Sequence, residues 1–194
     1  MKIIDAPQYG PMFRFDDTSV YWALHILSEG KRMGRKALAN LVGVGEGSMR
    51  RILDTLKEWE MISVKQTGIT ITKTGTGFLN ELPLKVLNIN LDDVVLGSYQ
   101  QAVKVVGVSF KIENGMQQRD AGIRAGAAGC TTILFRDGKL MMPPDWDLEK
   151  ERPELAERIK KNVCLGEDDV IIVGGADDPH SAISAALTAA FELF

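Results

Sequence analysis

The sequence predicts an α+β protein with two domains, and three observations support this fold class. Three short segments with helical spacing of apolar residues occupy the first part of the chain and lead into two β-branched runs. Beyond Pro83, strand-like runs alternate with helical segments. An Asp-Gly step between two of these later runs is typical of a tight hairpin, so part of the second sheet is expected to be antiparallel. A doubly wound parallel fold is therefore disfavoured.

The composition is that of an ordinary globular protein. The chain has 194 residues, of which 45% are hydrophobic and 25% are charged, close to the average for globular domains. No apolar run is long enough to span a bilayer, and residues 1–5 lack the apolar core of a signal peptide. We therefore expect a cytoplasmic protein without membrane contact. Cys130 and Cys164 form neither a zinc nor a disulfide pattern, and both are expected to be buried apolar residues.

The first elements are predicted in the order arm, helix, helix. Residues 1–15 contain two prolines and no clear period, which predicts an extended arm. Asp16, Asp17 and Thr18 are residues that favour the start of a helix, and apolar positions at helical spacing follow them. Gly30 ends this first helix. A second helix ends at Gly43. Its apolar positions are Ala37, Leu38 and Leu41.

A third helix and a hairpin complete the N-terminal domain. The helix begins near residues 46–48, and its apolar face consists of Met49, Ile52, Leu53 and Leu56. Two β-branched runs, 61–65 and 69–72, flank a tight turn at residues 66–68. Helix, helix, turn, helix and hairpin is the order of a winged helix-turn-helix, which we assign to residues 16–82.

Two segments carry a resemblance to known families. The stretch from Gly43 to Ile62, together with Ile71-Thr72-Lys73-Thr74-Gly75-Thr76-Gly77-Phe78-Leu79 after the hairpin, resembles winged-helix transcription regulators of bacteria and archaea. Segment 117–132 resembles the C-terminal domain of an archaeal winged-helix family, whose second domain has no assigned function. The resemblance implies a DNA-binding domain followed by a domain that brings no catalytic residues.

Charge is divided unevenly between the two parts of the chain. Residues 1–80 hold 11 Lys and Arg against 8 Asp and Glu, a net charge of +3, whereas residues 81–194 hold 12 against 18, a net charge of −6. A basic region can approach a phosphate backbone, and an acidic region is repelled by one. Double-stranded DNA is therefore the expected partner of the N-terminal domain.

The candidate DNA-binding residues lie on the second helix, the third helix and the wing. The N-terminal end of the third helix of such a domain enters the major groove. A wing cation can reach phosphate or the minor groove, and the basic entry to the second helix, which also holds Lys31 and Arg32, can bind phosphate. These candidates are Arg35, Lys36, Ser48, Arg50, Arg51, Thr55 and Lys65. The sequence leaves open whether the arginines contact bases or phosphates. It also leaves open that this helix face is solvated and binds no nucleic acid, because winged helices are sometimes used for protein contacts.

Residues 83–194 are predicted to form a mixed α+β sheet domain. Its strands are expected near residues 102–106, 131–135 and 170–173, and its helices near 116–127, 151–163 and 178–193. Small residues in the first of these helices allow close packing on the sheet, which would place nearby polar residues at the rim of a cleft. The candidate ligand-binding residues are Gln118, Arg119, Asp120, Arg124, Thr131 and Thr132. The structural alternative is an ion pair between Asp120 and Arg124 on the helix surface.

The sequence gives no support for a catalytic or metal site, and no cofactor is expected. The two histidines, His25 and His180, belong to different domains. The glycines at 43–47 match a helix-turn-helix turn better than a phosphate loop. The run Gly174-Gly175 followed by Asp178-Pro179 is better explained by an ordinary helix cap than by a phosphate site.

These inferences favour a transcriptional regulator that binds DNA and has a C-terminal domain for effector binding or dimerisation. A small-metabolite enzyme with an appended winged helix is the main alternative, and a winged helix used only for protein assembly is a third. In the final segment, 181–194, ten of fourteen residues are apolar, more than one sheet face needs. We therefore expect a homodimer, with the winged helix of the same chain as the other candidate for covering this surface.

Overall fold

The computed structural model describes residues 16–194. The predicted extended arm, residues 1–15, lies outside the described residues. The chain divides into two compact units, and the division falls between Leu82 and Pro83. Within the described part of the chain, no helix is both long and apolar enough to cross a membrane.

The N-terminal unit has the winged helix-turn-helix order that the sequence predicts. Its helices are α1 (Asp17–Ser28), α2 (Arg35–Val42), α3 (Glu46–Glu58) and α4 (Lys73–Glu81). Strands β1 (Ile62–Lys65) and β2 (Gly68–Ile71) pair antiparallel to form the wing. Met33 adds an isolated antiparallel bridge to Ile69, so the segment before α2 is attached to the hairpin.

Caps and apolar faces account for the first three helices. The carboxylate of Asp16 accepts a hydrogen bond from the Ser19 backbone N–H at 3.0 Å and caps α1. All four predicted apolar positions of α3 are buried. The prediction for α2 was partly wrong, because Ala37 is exposed and Leu41 is 50% exposed. The buried residues of α2 are Leu38, Ala39 and Val42, and Leu41 lies outside the arc that they define.

Helix α4 follows the wing and was not predicted as a helix. The Thr72 hydroxyl oxygen accepts a hydrogen bond from the Gly75 N–H at 3.1 Å and caps the helix. Gly75 is buried, and a Cβ atom there would lie 2.3 Å from the Met61 carbonyl oxygen. The absence of a side chain therefore lets α4 pack directly on the chain that leads into the wing.

The C-terminal unit is built on one six-stranded antiparallel sheet. Its strands are β3 (Leu84–Leu87), β4 (Tyr99–Val105), β5 (Gly129–Arg136), β6 (Lys139–Met142), β7 (Trp146–Asp147) and β8 (Val170–Ala176). Their order is β3-β4-β8-β5-β6-β7, and every neighbouring pair is antiparallel. The predicted hairpin joins β5 to β6, and Asp137 and Gly138 both have positive φ, as its tight turn requires.

Helices cover both faces of this sheet. They are α5 (Met116–Arg124), α6 (Leu148–Glu151), α7 (Pro153–Asn162) and α8 (Pro179–Phe191). Helix α8 contacts β4, β8 and α5, and Gly174 allows this approach because a Cβ atom there would lie 2.5 Å from the Ala182 carbonyl oxygen. Ile171 and Val173, on the other face of β8, pack in one core cluster with Ile159 of α7. Every residue of β8 is buried as a result.

The burial of α8 corrects the argument from which the dimer was predicted. Helix α5 lies against α8, so the sheet and α5 together cover a wider arc than the sheet alone. Leu187 is fully buried, and Ile183 is half-buried. Uncovered surface on α8 therefore no longer supports a second subunit, and the homodimer stays a prediction.

The expectation that both cysteines are buried is wrong for one of them. Cys130 on β5 is buried, but Cys164, which follows α7, is exposed. The loop at Cys164 is fixed instead by its backbone, since the carbonyl oxygen accepts a hydrogen bond from Lys104 Nζ at 2.7 Å. The same ammonium group donates to the carboxylate of Asp169 at 2.8 Å.

Candidate functional site

Helix α3 presents a polar face opposite its buried stripe. Gly43 ends α2 in the left-handed conformation with a φ of 79°, and α3 begins three residues later. Arg50, Arg51 and Asp54 are exposed, whereas Ser48 and Thr55 are half-buried at one flank of the helix. The two arginines are therefore accessible to a partner that approaches this face.

A groove lies between α3, the N-terminal end of α2 and the wing, and we call it the wing groove. Its volume is about 360 Å³. Three of the predicted DNA-binding residues line it together: Arg35, Arg50 and Lys65. Lys57 is a fourth cation in the lining and was missed by the sequence analysis, whereas Asp54 is the one carboxylate there. The wing groove therefore carries an excess of positive charge.

The two arginines of the wing groove form only weak ion pairs within the protein. Arg50 lies 4.0 Å from Asp54, and Arg35 lies 3.8 Å from Glu46. All four side chains are at least half exposed, and ion pairs of this kind contribute about 0–1 kcal/mol. A phosphate group could therefore replace these contacts at little energetic cost.

The remaining basic residues have different surroundings. Arg32 is exposed and donates a hydrogen bond to the Thr67 hydroxyl at the tip of the wing at 2.8 Å. Lys31 and Lys36 are exposed. The predicted residues Lys36, Ser48, Arg51 and Thr55 do not line the wing groove.

The predicted ligand-binding cluster on α5 is divided by the fold. Arg124 pairs with Glu192 at 3.4 Å, which corrects the expected pairing with Asp120. Gln118 is buried, whereas Asp120 is exposed. Thr131 and Thr132 are consecutive on β5 and therefore point to opposite faces of the sheet. The buried Thr132 hydroxyl has no hydrogen-bond partner among the described residues.

Two members of that cluster do meet, at the edge of the sheet. Arg119 and Thr131 both line a groove of about 550 Å³, which we call the edge groove. Its other walls are the segment 93–96, the start of β5, and Trp146 of β7. Gln118, Asp120, Arg124 and Thr132 do not line it. The sequence could not reveal the contribution of segment 93–96, because it forms no regular strand or long helix.

The contacts of His25 and of the glycine-rich end of β8 are explained by packing and helix capping, and His180 is exposed. His25 stacks on Trp22 with ring centroids 5.0 Å apart, and burial lowers the pKa of its imidazole. Gly174 and Gly175 allow other backbone segments to approach the sheet closely. The Asp178 carboxylate caps α8 by accepting from the Ser181 N–H at 2.9 Å. The described part of the chain contains no group of three His, Cys, Asp or Glu side chains that could hold a metal ion.

Comparisons with known families and structures agree with this architecture. A family model described as the CggR N-terminal DNA binding domain matches residues 19–86. A second model, described as a domain of unknown function (DUF4443), matches residues 96–193. Together they confirm the predicted resemblance to a winged-helix domain followed by a domain without assigned function. No curated protein matches the chain.

Two solved structures resemble the chain to different degrees. The hypothetical protein PH0730 from Pyrococcus horikoshii OT3 is 24% identical over 93% of each chain, with a TM-score of 0.74, which confirms the fold. BusR of S. agalactiae, solved in complex with its busA-promotor DNA, is 14% identical. That comparison covers 93% of this chain and all of BusR, but its TM-score of 0.27 is too low to support an argument.

Proposed function

The chain belongs to the family described as a domain of unknown function (DUF4443), and we propose that it is a DNA-binding transcriptional regulator with an effector-binding C-terminal domain. The observation that carries the proposal is the wing groove. Four cations from α2, α3 and the wing surround one carboxylate there, and the ion pairs of Arg35 and Arg50 are weak. Such an arrangement suits a phosphate backbone.

The docking follows from the element order. The N-terminal half of α3 enters the major groove, where Arg50 and Arg51 are within reach of base edges or of the flanking phosphates. Lys65 at the wing and Arg35 at the start of α2 then contact phosphate on either side. The match of residues 19–86 to a family named for DNA binding supports this assignment.

We further propose that the regulator acts as a homodimer in the cytoplasm. Helix-turn-helix regulators commonly read two half-sites with two-fold symmetry, and a single α3 reads only one of them. Sedimentation of the full chain at micromolar concentration tests this proposal. A sedimenting species with the mass of two chains supports it, and a monomer both alone and on DNA contradicts it.

The DNA proposal is tested with the double variant Arg50→Ala/Arg51→Ala. DNA ligands are first selected from a random duplex pool with the wild-type protein, and affinity is then measured at several salt concentrations. Both side chains are exposed, so we expect a folded variant that binds at least about tenfold more weakly. We also expect the slope of log K against log salt to shrink by about two, because roughly one counterion is released per phosphate contact.

A matched control separates this effect from a change in total charge. Lys139 and Lys161 are exposed in the other domain, and Lys139→Ala/Lys161→Ala, which removes the same two charges, should leave both affinity and salt slope unchanged. Equal losses in the control and the double variant would remove α3 from the interface. Failure of the wild-type protein to enrich any duplex at low salt would overturn the assignment as a DNA-binding regulator.

A further inference from the structure

The edge groove lies where strand β5 lacks a neighbour on one side. The register of β5 with β6 runs only from Leu134 to Arg136. The earlier residues of β5 pair with β8 on the opposite side, and no other strand of residues 16–194 pairs with them. The start of β5 therefore has a strand on one side and an opening on the other.

One wall of this opening is held in place by close backbone contacts. Segment 93–96 crosses the sheet above Gly175, where a Cβ atom would lie 2.3 Å from the Leu96 carbonyl oxygen. The Thr131 hydroxyl donates a hydrogen bond to the Val94 carbonyl oxygen at 2.6 Å. The wall is thus fixed from two directions, and the edge groove exists before any ligand binds.

Large apolar side chains converge on the edge groove. Leu96 is 68% exposed, Ile123 is 44% exposed and Trp146 is 40% exposed, and all three line it. Isolated apolar residues on a surface are ordinary, but a group that lines one concave site marks a place where an apolar body is covered. The indole of Trp146 in particular offers a flat surface for an aromatic ring.

The charges of the edge groove favour an anion. Arg119 forms no ion pair within the described residues. Arg152 donates to Asp93 at 2.7 Å, but Asp93 also accepts from Arg158 at 2.6 Å, so one carboxylate is shared by two guanidinium groups. This positive site lies in a domain whose net charge is negative. A guanidinium group without a partner is suited to bind a carboxylate through two hydrogen bonds.

We propose that the edge groove binds a small organic carboxylate with an aromatic or branched apolar body. Arg119 holds the carboxylate, and Ile123, Leu96 and Trp146 cover the apolar body. That this ligand is the effector of a regulator rests on the proposed function, whereas the binding site itself does not. The site would therefore exist even if the protein did not bind DNA.

The test uses two fluorescent probes that differ in charge. Anilinonaphthalene sulfonate carries an anionic group on an aromatic body, and N-phenylnaphthylamine has the same rings without the charge. We expect the full-length protein to bind one anionic probe per chain, and indole acetate to displace it. Arg119→Met should weaken the anionic probe about tenfold and change the neutral probe by less than about twofold. Trp146→Ala should weaken both probes.

The control is Arg124→Met on the same helix. Arg124 pairs with Glu192 and does not line the edge groove, so this variant should bind both probes as the wild type does. Equal anionic-probe affinity in wild type and Arg119→Met, equal losses in both arginine variants, or no displacement by indole acetate would each overturn the proposal. Thermal melting of every variant confirms that it is folded.

The probe test of the edge groove and the test of DNA binding can fail independently of each other. A protein that binds its selected duplex but fails the probe test overturns the carboxylate site and leaves the regulator proposal standing. One that passes the probe test but binds no DNA keeps the site and overturns the regulator. If indole acetate changes the DNA affinity of the wild type but not that of Arg119→Met, occupancy of the edge groove is coupled to DNA binding.

Discussion

The two thiols of the protein have different surroundings and should react differently. Burial raises the pKa of Cys130 to about 12, so very little thiolate forms at neutral pH. Cys164 is exposed. We expect a maleimide to modify Cys164 rapidly and Cys130 only after unfolding, as measured by mass spectrometry with and without urea. Cys164→Ser should then take up no label in the native state, and native labelling of that variant would contradict the buried placement of Cys130.

Asp169 is a buried carboxylate with a complete set of partners. It is 1% exposed and accepts from Lys104 Nζ at 2.8 Å, from the Gly107 N–H at 3.1 Å and from the Gly166 N–H at 2.9 Å. Asp169→Asn leaves the Lys104 ammonium without its counter-charge, so we expect unfolding in urea to show a loss of about 3 kcal/mol.

The exposed pair between Arg124 and Glu192 provides the control for Asp169. Both side chains are about half exposed or more, and Glu192→Gln should cost less than about 1 kcal/mol. The double variant Lys104→Met/Asp169→Asn should recover part of the loss, because neither charge is then left unpaired. Equal costs for the two single substitutions would show that Asp169 is not in a specially buried network.

Single residues of the candidate sites were predictable only where an element was already clear. The apolar stripe of α3 leaves Arg50 on its exposed side, and the hairpin places Lys65 beside the turn, so both positions followed from periodicity. Lys57 lies two turns further along α3, and its place in the wing groove depends on how the wing folds back. On α5, spacing favoured an Asp120–Arg124 pair, but the tertiary neighbour Glu192 pairs with Arg124 instead.

Among the elements, helix α4 tests most directly how glycine affects the stability of a helix. It contains two glycines, which lower helix propensity and explain why it was not predicted. Gly75 contacts backbone, whereas a Cβ atom at Gly77 would meet nothing within 4 Å. We therefore expect Gly77→Ala to stabilise the protein by about 0.5–1 kcal/mol and Gly75→Ala to destabilise it by about 1–3 kcal/mol, both measured by urea unfolding. The same sign for both would contradict the packing of α4.

The other missed elements share a physical cause. β3 and β7 have four and two residues, too few for an alternating pattern to be distinguished from a loop. They become strands because a longer neighbour offers free hydrogen-bonding groups. The similarly short β1, β2 and β6 were predictable because each adjoins a hairpin turn signal. β4, β5, β8 and α8 were predictable because each carries its own pattern or cap over at least seven residues.

At the scale of the molecule, the division near Pro83 predicts two fragments that fold alone. A fragment of residues 83–194 keeps β3, whose Leu84 is 1% exposed and pairs with Val105. We expect this fragment to melt cooperatively. A fragment of residues 88–194 lacks β3 and should melt at least about 5 °C lower, since a fully buried leucine contributes roughly 1.5–3 kcal/mol. Calorimetry of both fragments measures the difference.

The comparison between these fragments also locates the domain boundary. Equal melting temperatures would show that β3 is not part of the C-terminal unit. A fragment of residues 83–194 that remains unfolded would show that this unit depends on the winged helix. Residues 16–82 should fold separately and retain binding to the selected duplex.

The central position of β8 has a consequence for synthesis on the ribosome. β8 lies between β4 and β5, yet it follows every other strand of the sheet in the chain. While translation proceeds from Arg136 to Val170, the N-terminal unit is complete, but β4 and β5 have no partner strand between them. Premature termination in this interval would release a chain with a finished winged helix and unpaired strand edges, which promote aggregation. Nascent C-terminal units therefore depend on uninterrupted translation more than their N-terminal neighbours do.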